Sequence, residues 1–331
     1  MQMRPVGLLV LLTLSLSVLP LAAKAPQVKP MPKIGVLMLG SPPAAPDWKE
    51  RSLFLHELRR LGWLDGRNVT VEYRWAQGRE RDLSDLAVEL VQLHVDVIVA
   101  SATSVVQAVK QATSTIPIVM LYADDPVADG IVAGLVQPGG NITGVGGFVS
   151  ELSGKWLELL TEAVPEVTHI AVLVQPRNPM AAVMIQDIER VARRLGVQLH
   201  VVEVWQLGGF ERAFDTALRQ GAGALLVLPA ILFSAHQQRL AALAAKSRLP
   251  AIYWQRPFVE MGGLMSYGPK MADLWRRVAV LVDKILKGTP PANLPVEQPM
   301  RYELVINLTT AQALGITIPP LLRFQADEVI R

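Results

Sequence analysis

Ile34-Gly-Val-Leu-Met-Leu39 is a short apolar run bounded by turn residues, a pattern typical of a strand buried on both faces of a parallel sheet. Helical patterns and further strand-like runs then alternate along the chain. The runs cover residues 69–74, 95–100 and 116–121, and the segments between them carry apolar residues at helical spacing. This alternation predicts an α/β fold with a doubly wound parallel sheet.

The same pattern restarts near Thr168. Ile170-Ala-Val-Leu parallels Ile34-Gly-Val-Leu, and Leu249-Pro-Ala-Ile parallels Ile116-Pro-Ile-Val. A chain of 331 residues also exceeds one ordinary domain. We therefore predict two structurally similar lobes, each with its own doubly wound parallel sheet.

The last part of the chain is too small to bury a core of its own. It predicts one strand over residues 263–267, one helix over 271–286 and one strand over 303–306. We expect these elements to complete the two lobes and to cross between them as a multi-strand hinge. The expected boundaries are 33–145 and 258–292 for lobe 1, and 146–257 and 293–331 for lobe 2.

The amino terminus has the order of a secretory signal. Arg4 precedes an apolar run over residues 6–23, and Ala23-Lys24-Ala25 offers small residues at alternate positions. We expect residues 1–25 to be a cleaved signal peptide. The alternative is a membrane anchor, since the run is close to the ~20 apolar residues that span a bilayer.

The sequence contains no cysteine. Disulfides, thiolate metal sites and lipid attachment at a cysteine are therefore excluded. Together with the signal, this predicts a soluble periplasmic protein that is not a lipoprotein.

Charge and motifs argue against several functional classes. The formal net charge is +3, and Arg4 and Lys24 contribute two of these charges, so 3 − 2 leaves about +1 beyond the signal. Basic and acidic residues are interspersed, which does not favour a nucleic-acid surface. The chain has no G-x-S-x-G motif, no H-x-x-x-H pair, and no histidine that directly follows a predicted strand with a serine or aspartate partner. We predict a binding protein rather than an enzyme, with no catalytic residues, metal or cofactor.

A glycine cluster over residues 139–147 invites comparison with phosphate-binding loops. It lacks the Lys-Ser/Thr end of a P-loop and does not stand between a first strand and its helix. We interpret it as a turn that leads into a strand crossing between the lobes.

Small polar residues follow the predicted strands of both halves, where sheets of this type bind ligands. Hydroxyls and helix amino-terminal N–H groups suit a carboxylate, and an acid can hold an amine. Each residue taken alone can instead be a helix cap. Three aromatic residues complete the predicted set, which is Ser41, Ser101, Thr103, Ser104, Asp125, Thr143, Gln175, Asn178, Tyr253, Trp254 and Tyr267.

Several longer motifs resemble one known family. They include Leu61-Gly-Trp-Leu-Asp-Gly-Arg-Asn68, Gln137-Pro-Gly-Gly-Asn-Ile-Thr-Gly144, Gly262-Gly-Leu-Met-Ser-Tyr-Gly268 and Leu294-Pro-Val-Glu-Gln-Pro299. Together they are similar to the ABC-transporter substrate-binding proteins that include tryptophan- and tyrosine-type binders. The resemblance implies a type I periplasmic-binding fold, a small amino-acid-like ligand between the lobes, and an inner-membrane permease and ATPase as partners of a monomer.

By position, the resemblance assigns Ser101, Thr103, Asp125 and Thr143 to ligand loops of the first lobe. In the second lobe it assigns Gln175 and Asn178. There the aromatic amino-acid binders carry a serine-rich, acidic stretch, whereas this chain reads Gln175-Pro-Arg-Asn-Pro179. A ligand sensor that feeds a membrane signalling partner is the alternative function, since its sequence would look the same.

Overall fold

The computed structural model describes residues 30–42, 52–147, 152–178 and 180–331. The expected signal peptide over residues 1–25 lies outside these residues. Within 32–331 the chain builds two β-sheets, one of five and one of seven strands. No helix in the described part of the chain combines the length and the apolar character that crossing a membrane requires.

The first sheet is entirely parallel, with strand order β2-β1-β3-β4-β5. Its central strands are almost fully buried because helices cover both faces, which is why they read as continuous apolar runs. The strands are β1 (Lys33–Met38), β2 (Thr70–Trp75), β3 (Val97–Ser101), β4 (Ile118–Ala123) and β5 (Ile142–Gly146).

Two apolar layers flank this sheet. The helices are α1 (Leu53–Arg60), α2 (Leu83–Gln92), α3 (Thr103–Ala112) and, from the end of the chain, α10 (Met271–Leu286). One buried cluster, which we call the α2–α3 cluster, lies beneath those two helices and includes Leu39 and Ala76. The other lies beneath α1 and α10. Helix α10 thus completes the first lobe although it lies far away in sequence.

The second sheet has strand order β12-β11-β10-β9-β8-β6-β7 and is parallel except for the antiparallel pair β10 and β11. The strands are β6 (His169–Val174), β7 (Gln198–Glu203), β8 (Ala224–Val227), β9 (Ala251–Tyr253), β10 (Met265–Pro269), β11 (Tyr302–Asn307) and β12 (Glu328–Ile330). The remaining helices are α4 (Ser153–Ala163), α5 (Ala181–Leu195), α6 (Phe210–Arg219), α7 (Ile231–Ser234), α8 (Gln237–Lys246), α9 (Arg256–Glu260), α11 (Leu308–Leu314) and α12 (Pro320–Gln325).

The segment over residues 258–292 is divided between the lobes, whereas the expected boundaries place all of it in lobe 1. Strand β10 pairs with β9 in the second sheet, and the Trp156 indole N–H of α4 donates to the Tyr267 carbonyl of β10 (2.6 Å). Helix α10, which follows at once, packs against the first sheet. Residues 269–271 therefore form one crossing.

Two other crossings lie beside β5. One leaves the end of β5 at Gly146, and the other runs from Glu297 to β11. Glu297 still pairs with the first sheet, since its N–H donates to the Gly144 carbonyl (2.9 Å) and it forms a bridge with Val145. The hinge predicted from the sequence thus corresponds to chain segments grouped at the β5 side of the first sheet.

Candidate ligand-binding site

Parallel α/β sheets bind ligands at the carboxyl ends of their strands, at the point where the connections that follow two neighbouring strands run to opposite faces of the sheet. The candidate site therefore lies at these strand ends. In the first sheet that point lies between β1 and β3, and in the second between β6 and β8. Ser101, at the end of β3, marks the first of these points. Its Oγ accepts from the Leu39 N–H (3.2 Å) and its hydroxyl donates to the Leu37 carbonyl (3.4 Å), so it fastens β1 to β3.

Helix α3 begins directly after Ser101 with a strained residue. Ala102 has φ 69° and ψ 154°, a combination that residues with a β-carbon rarely adopt and that concentrates at functional sites. Thr103 follows, and its Oγ1 accepts from the Asp124 N–H (3.1 Å). The Ser104 Oγ is buried and has no hydrogen-bond partner among the described residues. The first turn of α3 therefore offers backbone N–H groups and a free hydroxyl.

Asp124 follows the end of β4 and is the most perturbed carboxylate of this region. Its pKa is raised to about 6, chiefly by burial and also by the charge of Asp129, while the hydrogen bond from Thr103 opposes the shift. No described basic side chain forms an ion pair with Asp124. A charged group that costs free energy to bury and lacks a partner is a candidate for binding a ligand cation.

Asp125, which belongs to the predicted set, makes different contacts. Its Oδ1 accepts from the N–H groups of Val127 (3.3 Å) and Ala128 (3.0 Å), as in an Asx turn. Asp124 is not in the set predicted from the sequence. Its position soon after the predicted strand over residues 116–121 is the signal that could have found it, because ligands bind beyond the carboxyl ends of such strands.

Three tyrosines lie where the two lobes meet. Tyr122 packs against the second-lobe core and also against the cluster beneath α1 and α10. Burial raises its pKa well above the usual value, and Asp124 and Tyr302 add to the shift. Tyr302 stacks on Tyr267 at 5.8 Å between ring centroids. Of these three rings, only Tyr267 belongs to the predicted set.

Tyr253 and Trp254 lie in the second-lobe core. They are 1% and 3% exposed, and their ring centroids lie 4.5 Å and 4.7 Å from that of Phe258. The Tyr253 hydroxyl finds no hydrogen-bond partner in the part of the chain that the structure describes. Burial raises its pKa above the usual value.

Thr143 and Asn178 serve internal contacts. Thr143 is fully buried, and its hydroxyl donates to the Leu294 carbonyl (2.7 Å). This bond joins β5 to the segment that precedes the crossing from Glu297 to β11. Asn178 donates from Nδ2 to the Pro229 carbonyl (2.8 Å) and accepts at Oδ1 from the Met180 N–H (2.9 Å). These bonds join the loops after β6 and β8.

The other two predicted residues lie in the loops that follow β6 and β1. Gln175 is half-buried directly after β6, and Ser41 is exposed beyond β1. Of the whole predicted set, the structure brings together Ser101, Thr103 and Ser104, with Asp124 added.

Comparisons with known proteins agree with this architecture. A tyrosine-binding protein of Clostridioides difficile (strain R20291) is 25% identical over 289 residues, which cover 87% of this chain and 82% of the relative. An ABC domain in complex with L-Trp from Streptococcus pneumoniae is 26% identical with a TM-score of 0.79, covering 90% of this chain and 99% of the other. A ligand-free, open substrate-binding protein with adhesive properties from Clostridium difficile is 25% identical over the same shares, with a TM-score of 0.67.

These likenesses confirm the prediction of a type I periplasmic-binding fold. The profile of one family, described as ABC transporter substrate binding protein, matches residues 33–330. That family is one of binding proteins rather than enzymes. Because the match covers nearly the whole chain, the protein belongs to the ABC transporter substrate-binding protein family.

Proposed function

We propose that this protein is an extracytoplasmic receptor that captures an amino-acid-like molecule between its lobes for an ABC importer. The observation that carries the proposal is Asp124, a carboxylate at a strand end with a raised pKa and no described cationic partner. A protonated amine of the ligand would supply the missing charge and form charge-assisted hydrogen bonds.

Hydrogen-bond donors in the same loop region suit the carboxylate of such a ligand. The N–H groups of the first turn of α3 and the free Ser104 hydroxyl can donate to a carboxylate, which the helix dipole also favours. Thr103 bonds to Asp124, so the two features adjoin one another. The pair matches a molecule that carries an amine and a carboxylate on the same carbon atom.

The relatives support the same ligand class. One is named a tyrosine-binding protein, and another is in complex with L-Trp. Tyr122, Tyr267 and Tyr302 would provide apolar and aromatic surface next to Asp124. The loop that begins at Gln175 faces the ligand from the second lobe in this proposal, and its composition separates this chain from the aromatic amino-acid binders.

The proposal includes the expected location and partners. The apolar run over residues 6–23 supports export, and the family supports an inner-membrane permease and ATPase that receive the ligand. The protein is proposed to act in the periplasm as a freely diffusing monomer.

A thermal-shift screen of amino acids tests the proposal. A true ligand at 100 times its dissociation constant adds about 2.7 kcal/mol to the free energy of unfolding. For lobes of this size, the melting temperature then rises by roughly 5–10 °C. The matched control is the corresponding hydroxy acid, which keeps the carboxylate and side chain but lacks the amine. No shift with any amine-bearing compound, or an equal shift with the hydroxy acid, contradicts the proposal.

The affinity for an amine ligand should depend on pH through Asp124. Its carboxyl has a raised pKa of about 6 in the free protein, so the charged form that attracts the amine is lost as the pH falls through 6. Titration calorimetry should show constant affinity above about pH 7 and roughly ten-fold weaker binding at pH 5. Affinity that rises toward acid pH would instead mean that protonated Asp124 donates a hydrogen bond to the ligand.

A further inference from the structure

The two lobes also touch on the side that lies farthest from the crossings. The crossings lie beside β5, and β2 is the opposite edge of the five-stranded sheet, about 19 Å away at four strand spacings. Gly78 follows β2, and a β-carbon added to it would lie 3.6 Å from the β-carbon of Ala235, which follows α7. The far edges of the lobes are thus in contact.

Helix α7 explains this contact, because its side chains divide between the lobes. Leu232 and Phe233 pack in the second-lobe core, to which α7 belongs. Ile231 packs instead against the α2–α3 cluster of the first lobe. Ile231 is half-buried, and the surface it covers belongs to the other lobe.

Two relatives differ in how well they agree with this structure. The structure agrees less well with the open, ligand-free relative than with the relative in complex with L-Trp, although both share about the same identity with this chain. This is a difference between structures.

We propose that Ile231 is an apolar latch that holds the far edges of the lobes together and sets how much of the protein is closed before ligand binds. A contact that exists only in the closed arrangement shifts the population toward it, whichever ligand is present. The latch itself does not depend on the proposed function. Only its expected consequence does, which is tighter ligand binding when the closed form is more populated. Ile231 would act by positioning the lobes, without touching the ligand.

A disulfide trap measures the closed population without any ligand. The chain has no cysteine, so a Gly78→Cys/Ala235→Cys pair would be the only thiols present. The 3.6 Å between the β-carbons lies in the range of disulfides, about 3.5–4.5 Å. Gly78 has φ +75°, so each single cysteine variant is first checked for native circular dichroism and melting temperature.

The latch predicts that Ile231→Ser lowers the closed-to-open equilibrium constant about five- to ten-fold, the factor expected when roughly half the burial of an isoleucine is lost. Disulfide formation in a fixed glutathione buffer is then slowed by up to that factor. The matched control is Leu232→Ala on the same helix, which should lower the melting temperature and leave the cross-linking rate unchanged. Small-angle scattering of Ile231→Ser without added cysteines should show a larger radius of gyration.

The conservative variant Ile231→Val keeps most of the apolar contact and should cross-link at close to the native rate. Equal cross-linking rates for Ile231→Ser and Ile231→Val would overturn the latch, as would unchanged scattering of Ile231→Ser. Neither readout uses a ligand. Failure of the amino-acid screen with a slowed cross-link would therefore count against the proposed ligand class alone, and binding with an unchanged cross-link would count against the latch alone.

Discussion

Replacing Asp124 by asparagine is expected to weaken the binding of an amine-bearing ligand by about 2–4 kcal/mol, roughly 30- to 1000-fold in dissociation constant. The substitution keeps the shape of the side chain and removes the charge that would pair with the amine. Titration calorimetry at pH 7.5 measures the effect. The same substitution should abolish the pH dependence between pH 5 and 7.

The stability of the same variant should change in the opposite direction. An acid whose folded-state pKa lies above its unfolded value favours folding when protonated, and this contribution is lost as the pH rises through about 6. Asp124→Asn removes the buried charge, so its melting temperature at pH 7.5 should be higher than that of the native protein. A gain in stability with a loss of binding is the signature of a residue kept for function.

Asp125→Asn is the matched control because it changes the neighbouring residue in the same way. The side-chain oxygen that accepts from Val127 and Ala128 remains, so both affinity and stability should stay close to the native values. If Asp125→Asn reduces affinity and Asp124→Asn does not, the amine contact belongs to Asp125, the one acid of the set predicted from the sequence.

Gly144→Ala is expected to destabilise the protein by at least about 3–4 kcal/mol. Gly144 has φ +144°, and a β-carbon there would lie 2.2 Å from the Met120 carbonyl oxygen and 2.5 Å from the Met120 nitrogen. Both atoms belong to the backbone of β4, which is held between β3 and β5 and cannot move aside. Denaturant unfolding should show a strongly lowered midpoint or an unfolded chain.

Gly140→Ala is the control from the same glycine cluster. Nothing lies within 4 Å of a β-carbon at that position, and its φ is not in the left-handed range. The substitution should be neutral or stabilise the protein by up to about 1 kcal/mol, because it restricts the unfolded chain. Near-native stability of Gly144→Ala would show that β4 and β5 separate more easily than their packing implies.

The glycine cluster also shows how far a local motif can be interpreted. Its glycines resemble those of a phosphate loop, but the missing Lys-Ser/Thr end predicts a turn that leads into a strand crossing between the lobes. In the structure Gly144 is part of β5, and the close backbone of β4 leaves no room for a β-carbon there. This steric requirement for glycine depends on Met120, which lies in a different strand, so the motif itself does not show it.

The strand positions were predictable because a strand buried on both faces of a parallel sheet is apolar along nearly its whole length. The apolar run over residues 34–39 became β1 (Lys33–Met38), and the run over 170–174 lies within β6 (His169–Val174). The similarity of the two halves was predictable from the same apolar runs. Segment 258–292 was harder to assign, because one short strand and one helix do not reveal which sheet each will join.

The sequence by itself determined the fold class, the two-lobed plan and the loops in which the polar residues gather, since all three follow from the order of apolar and polar residues along the chain. Only the tertiary structure distinguishes the surroundings of adjacent Asp124 and Asp125, because burial raises the pKa of the Asp124 carboxyl, the charge of Asp129 adds to the shift and a hydrogen bond from Thr103 opposes it. The same holds for Ile231, whose own helix packs in one lobe while its side chain contacts the other. Contacts between distant segments carry no periodic signal, so burial and partners at these positions exist only once the chain is folded.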